Sequence, residues 1–142
     1  MENQELVVLA KEAMKKAYAP YSKFKVGAAL LAKDGTVFLG CNVENASFGA
    51  TICAERTAVT KAISQGVREF EKIAIVASSE EYAAPCGICR QVMYEFMPEG
   101  EVILDSQAEG IKVMKLKELL PMGFRGEDIK EPLIHTMRTS DR

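Results

Sequence analysis

The sequence has 142 residues, of which 48% are apolar and 27% are charged, and its formal net charge is −2. A chain of this size can bury a core without disulfide bridges, so we expect a single domain over residues 1–142 with a polar C-terminal tail over 125–142. It has no block of Lys and Arg for a nucleic-acid partner, and acidic residues interrupt the first apolar segment too often for a signal peptide or a membrane span. We therefore expect a cytoplasmic protein that acts on a small, weakly charged substrate, with no nucleic-acid or membrane partner.

Hydrophobic periodicity divides the chain into helices and strands. The predicted elements, in chain order, are a helix over about 3–18, strands over 26–32 and 36–41, a polar loop over 42–49, a helix over 52–64, a strand over 72–78, a helix over 86–96, strands over 102–104 and 112–115, and a short helix over 116–120. Lys33-Asp34-Gly35 is a turn sequence that predicts a β-hairpin. Thr51 and Gly66 are suited to begin and end the second helix, and Pro20 to stop the first.

The order of these elements predicts an α/β fold. Residues 72–78 include a nearly unbroken apolar run, which is typical of a strand buried on both faces. Such a strand needs helices on both sides of its sheet. The sequence therefore predicts a three-layer α/β/α sandwich around a mixed sheet of about five strands.

Three of the four cysteines, Cys53, Cys86 and Cys89, lie in sequence contexts that suggest a metal site. Cys53 lies near the start of the second predicted helix, and the other two lie near the start of the third, on one helical face. A helix N-terminus favours the thiolate, which binds zinc at about 2.3 Å. Because a structural zinc usually has four protein ligands, a set of three favours a catalytic zinc, one per subunit.

Other interpretations of the cysteines are a structural zinc site or thiols scattered through the core. Cys41, at the end of a strand, is interpreted as a small hydrophobic residue and is left out of the site. His135, the only histidine, lies in the polar tail and is not counted as a ligand.

Charged residues flank the cysteines. Glu55 follows Cys53 by two positions, where a carboxylate can lie beside a metal and transfer protons without binding it. Alone, it would be interpreted as a favourable charge at a helix N-terminus. Arg56 and Arg90 directly follow Glu55 and Cys89, and we expect them to offset the charge of three thiolates, Arg56 by donating hydrogen bonds to sulfur. Ordinary surface cations are the alternative.

Taken together, the sequences around these residues resemble those of the small homotetrameric cytidine deaminases. Zinc deaminases of nucleobases combine a His/Cys/Cys or three-cysteine zinc with a glutamate that is not a ligand and a P-C-x-x-C sequence, and here cysteine takes the place of the histidine. The resemblance covers almost the whole chain. Its matching stretches are 21–30 (YSKFKVGAAL), 40–46 (GCNVENA), 53–58 (CAERTA), 85–92 (PCGICRQV) and 119–121 (LLP) with Phe124.

The resemblance implies roles for residues that would contact the nucleoside. Asn42 and Glu44 match a pair that hydrogen-bonds the ribose 3′-hydroxyl. Phe24 matches an aromatic ring packed against the pyrimidine, and the backbone of Ala54 matches a contact to the base. Without the resemblance, Asn42 would be interpreted as a turn residue and Glu44 as a solvated charge. Phe24 and Phe124 would be interpreted as core or interface aromatics.

Two further aromatic residues match positions that reach a neighbouring subunit's site. They are Phe48, which stands where relatives often have tyrosine, and Phe124. The resemblance therefore implies a homotetramer with its sites at subunit interfaces.

The implied reaction is zinc-dependent deamination of cytidine and deoxycytidine to uridine and deoxyuridine plus ammonia, in pyrimidine salvage. Glu55 would carry a proton from metal-activated water to N3 of the base while the water oxygen attacks C4. One alternative is a deaminase of a modified cytosine nucleoside such as blasticidin. Another is a zinc-stabilised nucleoside-binding module without turnover, which would have no need of Glu55. A nucleic-acid deaminase is disfavoured because the chain lacks a basic groove.

Overall fold

The computed structural model describes residues 1–129, which form an α/β fold around a five-stranded sheet. The helices are α1 (Asn3–Met14), α2 (Ala54–Ser64), α3 (Gly87–Phe96) and α4 (Leu116–Leu119), and the strands are β1 (Val26–Ala32), β2 (Val37–Cys41), β3 (Phe70–Ala77), β4 (Glu101–Ser106) and β5 (Gly110–Lys115). Short 3₁₀ turns cover Phe48–Ala50 and Gly126–Asp128. Within this described part of the chain, no helix is both long and apolar enough to cross a membrane.

The sheet has the strand order β2-β1-β3-β4-β5. The β1–β2 hairpin is antiparallel, as the turn sequence between its strands predicts, and β1 is also antiparallel to β3. β3 and β4 run parallel and are joined through α3, and β5 returns antiparallel to β4. The prediction of a mixed sheet of about five strands is confirmed.

Helices cover both faces of this sheet because the central strands are apolar on both sides. One face is covered by α1, and the core between them consists of Leu6, Val7, Ala10, Ala29, Leu31, Ala74, Val76 and Ile103. The other face is covered by α2 and α3, and the larger core there includes Leu30, Val59, Ile73, Ile75, Met93, Val102 and Leu104. The predicted three-layer sandwich is confirmed.

Glycine allows α2 to approach the edge strand β2 very closely. A Cβ atom added to Gly40 would lie 2.4 Å from the carbonyl oxygen of Ala54 and 2.6 Å from the amide nitrogen of Ala58. Both atoms belong to the α2 backbone, so only a residue without a side chain fits between the helix and the strand. This contact fixes the height of the first turn of α2 above the sheet.

Two helix boundaries differ from the predictions by more than one residue. α1 ends at Met14 rather than near residue 18. Tyr18 instead joins the loop after β2, where its N–H donates to the carbonyl of Asn42 at 3.0 Å and its carbonyl accepts the N–H of Glu44 at 2.8 Å. The N-cap of α2 is Cys53, two residues after the predicted start at Thr51.

The region predicted as a polar tail begins with an ordered turn. Arg125 is the N-cap of the 3₁₀ turn Gly126–Asp128, and its N–H donates to the Asp128 carboxylate at 2.8 Å. Residues 130–142, and with them His135, lie outside the described residues.

Candidate metal centre and substrate cavity

The starts of α2 and α3 bring the three predicted cysteines together. Cys53 is the N-cap of α2, Cys86 is the N-cap of α3, and Cys89 lies in the first turn of α3. The two helices pack on the same face of the sheet. Their N-termini meet because β2 and β3 are both antiparallel to β1, so the loops that follow these two strands leave from the same end of the sheet. Cys41 lies at the end of β2 and is not a member of this group.

The three sulfur atoms have the spacing that a tetrahedral ion requires. All lie within 4.8 Å of one another, and the Sγ atoms of Cys53 and Cys86 are 3.9 Å apart. A tetrahedral zinc with bonds of about 2.3 Å holds its sulfurs about 3.8 Å apart, so a small inward adjustment of the group is enough. Among residues 1–129 the group has these three members, which leaves one tetrahedral position without a protein donor.

The thiols also interact electrostatically in a way that favours a thiolate. The adjacent Cys89 thiol, followed by Arg56, lowers the pKa of Cys53 to about 5. The same interaction between the two thiols, together with burial, raises the pKa of Cys89. Both shifts describe one arrangement in which Cys53 is ionised and Cys89 keeps its proton. Binding of a divalent cation would displace that proton.

The two arginines beside the cysteines have different partners. Arg56 donates from Nη2 to the Sγ of Cys53 at 3.5 Å, and to the Thr51 carbonyl at 3.4 Å. Arg90 donates from Nε to the carbonyl of Pro85 and from Nη1 to the carbonyl of Leu119, both at 2.7 Å. Arg56 is thus next to sulfur as expected, whereas Arg90 contacts backbone oxygens.

Glu55 lies in the first turn of α2 and is only 4% exposed. Burial raises the pKa of its carboxyl group, and the negative charge of Cys53 raises it further. The carboxyl group lines a cavity of about 270 Å³ that also contains Cys53 and Cys86. A buried acid therefore faces the same space as two of the three thiols.

This cavity joins the metal centre to most of the other predicted site residues. Its lining also includes Phe24, Asn42, Glu44 and Ala54. The apolar part of the wall is completed by Val26, Ile75, Ala83 and Ala84, and the polar part by Ser22 and Thr51. The lining thus combines apolar side chains with polar groups, a composition suited to a planar base with a hydroxylated substituent.

Asn42 and Glu44 hold the segment that forms one wall of the cavity. The Asn42 side chain accepts the Val26 N–H at 2.9 Å and donates to the Phe24 carbonyl at 2.8 Å. The Glu44 carboxylate accepts the backbone N–H groups of Tyr21 and Ser22 at 3.0 and 3.1 Å and the hydroxyl of Ser22. The Ser22 hydroxyl, as the largest cause, lowers the pKa of Glu44, which keeps it anionic.

The two aromatic residues predicted to reach a neighbouring subunit do not line this cavity. Phe48 is 77% exposed, and its ring packs edge-to-face against Tyr21 with the centroids 6.3 Å apart. Phe124 is 58% exposed, and its carbonyl accepts the Gln91 side-chain amide at 2.7 Å. Both rings are on the surface of the protein.

The sequence did not indicate the contribution of the loop before α3. Ala83 and Ala84 line the cavity because they immediately precede Pro85 and Cys86. Small apolar side chains do not indicate a chemical role in a sequence. Only the position of these two alanines next to Pro85 and Cys86 could have identified them as part of the cavity wall.

A family model for the cytidine and deoxycytidylate deaminase zinc-binding region matches residues 1–104. The chain belongs to this deaminase family. The matched family region is a zinc-binding one, and the three-cysteine group of the structure suits a metal ion. The expectation of zinc as the cofactor is thereby confirmed.

Known deaminases of this family are similar to the chain over most of its length. A cytidine deaminase of Sporosarcina psychrophila is 47% identical over 91% of this chain and 96% of its own length. One from Halalkalibacterium halodurans is 48% identical over 92% of this chain and 100% of its own length. The crystal structure of a cytidine deaminase from Burkholderia pseudomallei superposes with a TM-score of 0.84 at 51% identity, covering 87% of this chain and 100% of that one.

Proposed function

We propose that the protein is a zinc-dependent cytidine deaminase that hydrolyses cytidine and deoxycytidine to uridine, or deoxyuridine, and ammonia. The observation that carries this proposal is a single cavity in which buried Glu55 lies beside the thiol group. A site that served only to stabilise the fold would have no reason to bury a carboxyl group next to three thiols. The similarity to cytidine deaminases supports this class of substrate.

Cys53, Cys86 and Cys89 would hold one zinc ion per subunit. Their sulfur spacing fits such an ion, and Cys53 and Cys86 line the same cavity as Glu55. Zinc bound here would supply a Lewis acid that lowers the pKa of a water molecule. Arg56 donates to the sulfur of Cys53, which withdraws negative charge from that thiolate.

The apolar part of the cavity would orient the base. Phe24 and Ile75 offer surfaces against which a pyrimidine ring can pack, and the backbone of Ala54 lies at the start of α2 within reach of its polar edge. These groups also exclude water from the ring face. The base is thereby directed with its amino-bearing carbon toward the cysteines.

The polar part would receive the sugar. Glu44 stays anionic because Tyr21 and Ser22 donate to it, and its remaining acceptor positions can take a ribose hydroxyl. Asn42, which braces residues 24–26, would contribute the second contact. Neither contact distinguishes cytidine from deoxycytidine.

Glu55 would move the protons of the reaction. It would accept a proton from the attacking water and deliver it to N3 of the base, and later pass a proton to the departing amino group. Its burial excludes competing solvent, so the carboxyl group exchanges protons with the substrate rather than with bulk water.

The active form would be a homotetramer whose sites lie at subunit interfaces. An exposed apolar surface adjoins the cavity and consists of Tyr18, Tyr21, Val43, Phe48 and Ile52, which are 41 to 77% exposed. Backbone bridges join Tyr18 to Val43 and Val43 to Ile52, so this surface is continuous. Contiguous apolar patches of this kind are typical of protein interfaces. Phe48 and Phe124 would reach the neighbouring subunit's site.

The enzyme would act in the cytoplasm, in pyrimidine salvage.

The proposal is tested by following ammonia release from cytidine, deoxycytidine and blasticidin S with zinc-loaded protein. We expect turnover of the two nucleosides and little of the antibiotic. Light scattering should give a mass of four chains. Zinc binding without ammonia release from any of the three would refute the enzymatic function, and turnover of blasticidin S alone would replace the substrate.

A further inference from the structure

Arg90 connects the metal centre to the end of α4. Its guanidinium group is partly buried and donates from Nε to the carbonyl of Pro85 and from Nη1 to the carbonyl of Leu119, both at 2.7 Å. Its neighbour Gln91 donates to the carbonyl of Phe124, also at 2.7 Å. Two adjacent residues of α3 therefore hold the last residue of α4 and a point in the segment that follows it.

These contacts are not those of a cation that neutralises thiolates. Within residues 1–129, no hydrogen bond joins the Arg90 guanidinium to a cysteine sulfur, and no carboxylate forms an ion pair with it. Arg56 provides the contrast, since its guanidinium donates to the sulfur of Cys53. Both acceptors of Arg90 are neutral carbonyl oxygens whose positions it fixes.

The Pro85 carbonyl belongs to the peptide group that leads into Cys86. A peptide group is planar, so holding its oxygen also holds the nitrogen and Cα of the next residue. Cys86 has extended backbone angles as the N-cap of α3, and its side chain is exposed. The loop before it has no regular secondary structure, so the sheet does not hold this cysteine in place.

We propose that Arg90 is a positioning residue that holds Cys86 in ligand geometry through the Pro85 carbonyl, with the end of α4 as its fixed support. The proposal rests on the proposed function only in taking zinc as the ion that the three cysteines bind. An arginine is needed because Nε and Nη1 donate in two fixed directions of one plane. A lysine keeps the charge but presents one ammonium group, which cannot hold both carbonyls in that geometry.

The test measures zinc release from the loaded protein to a chromogenic chelator for Arg90→Lys and Arg90→Gln. Loss of a residue that orients a metal ligand typically costs about 10–100-fold in metal affinity, so we expect both variants to lose zinc at least about tenfold faster than the unaltered protein. The matched control is Arg68→Lys, because Arg68 also donates to backbone carbonyls, those of Ile63 and Val67, but far from the cysteines. That control should release zinc at the normal rate. Normal retention in Arg90→Lys would overturn the proposal, since charge alone would then be sufficient.

A double-mutant cycle identifies the ligand through which Arg90 acts. In a Cys86→Ser background the effect of Arg90→Lys should shrink to less than about twofold, because the positioned ligand is already lost. In a Cys53→Ser background the full effect should persist. Equal effects in both backgrounds would overturn the proposal.

Cobalt substitution gives a readout that a general loss of stability would not change. The thiolate-to-cobalt absorption per bound ion should fall in Arg90→Lys and stay normal in Arg68→Lys. Failure of both Arg90 variants to fold, with or without metal, would make Arg90 a residue of the general fold and overturn the proposal. A zinc-loaded protein that lacks turnover would refute the proposed function but leave this test intact.

Discussion

Replacing Gly40 by alanine should displace the helix that carries Glu55. The added Cβ would lie 2.4 Å from the Ala54 carbonyl oxygen and 2.6 Å from the Ala58 amide nitrogen, whereas ordinary contacts begin at 3.4 Å. The first turn of α2 must therefore move by about 1 Å, and because both atoms are backbone, no change of rotamer can absorb the clash. Overpacking of this kind typically lowers the free energy of unfolding by about 1–3 kcal/mol.

The same displacement should reduce activity, because a misplacement of about 1 Å at a reacting group can cost about 10²-fold in rate. One assay is urea denaturation at a fixed protein concentration, because the unfolding of the proposed oligomer depends on concentration. The other assay is the rate of uridine formation from cytidine. Gly49→Ala is the matched control, because a Cβ there has no heavy atom within 4 Å and the φ angle is not positive. If both variants had the same free energy of unfolding and the same rate, the close approach of α2 to β2 would not be what positions Glu55.

Two further substitutions probe the walls of the cavity. Ile75→Ala removes a side chain that is 1% exposed and belongs to both the core and the cavity wall. Denaturation should show that the free energy of unfolding falls by about 2–5 kcal/mol, and the KM for cytidine should rise. An unchanged KM would mean that the base does not bind against Ile75. Glu44→Ala removes the carboxylate that accepts the Tyr21 and Ser22 N–H groups. The KM for cytidine should rise by about tenfold or more, because a charged hydrogen-bond acceptor is lost, and kcat should fall by a smaller factor. A fall in kcat alone would contradict the assignment of Glu44 to the sugar.

The sequence predicts those parts of the fold that local pattern determines. The apolar run within 72–78 predicts the buried central strand, and the turn Lys33-Asp34-Gly35 predicts the hairpin, because both signals come from neighbouring residues. The meeting of the three cysteines is also predictable, since each lies at the start of a helix and a shared ion explains their spacing. The end of α1 is different. Tyr18 leaves the helix because backbone groups after β2 bind it, and helical periodicity carries no information about that contact.

The role of Arg90 is the clearest example of what the sequence does not reveal. Its place directly after Cys89 favours an electrostatic role, but its actual acceptors are the carbonyls of Pro85 and Leu119. Carbonyl groups are present at every residue and give no sequence signal. The partner on α4 becomes adjacent only after the sheet and α3 have assembled.

The most direct test of the proposed chemistry compares zinc content and cytidine turnover in Glu55→Gln with those of the unaltered enzyme. The three cysteines are untouched in this variant, so it should hold one zinc per subunit, while the loss of the proton-transferring group should reduce turnover by about 10²–10⁴-fold or more. Glu101→Gln, at an exposed carboxylate at the start of β4, should match the unaltered enzyme in both measurements. Full zinc content with undiminished turnover in Glu55→Gln would show that the buried carboxyl group does not carry the protons of the reaction.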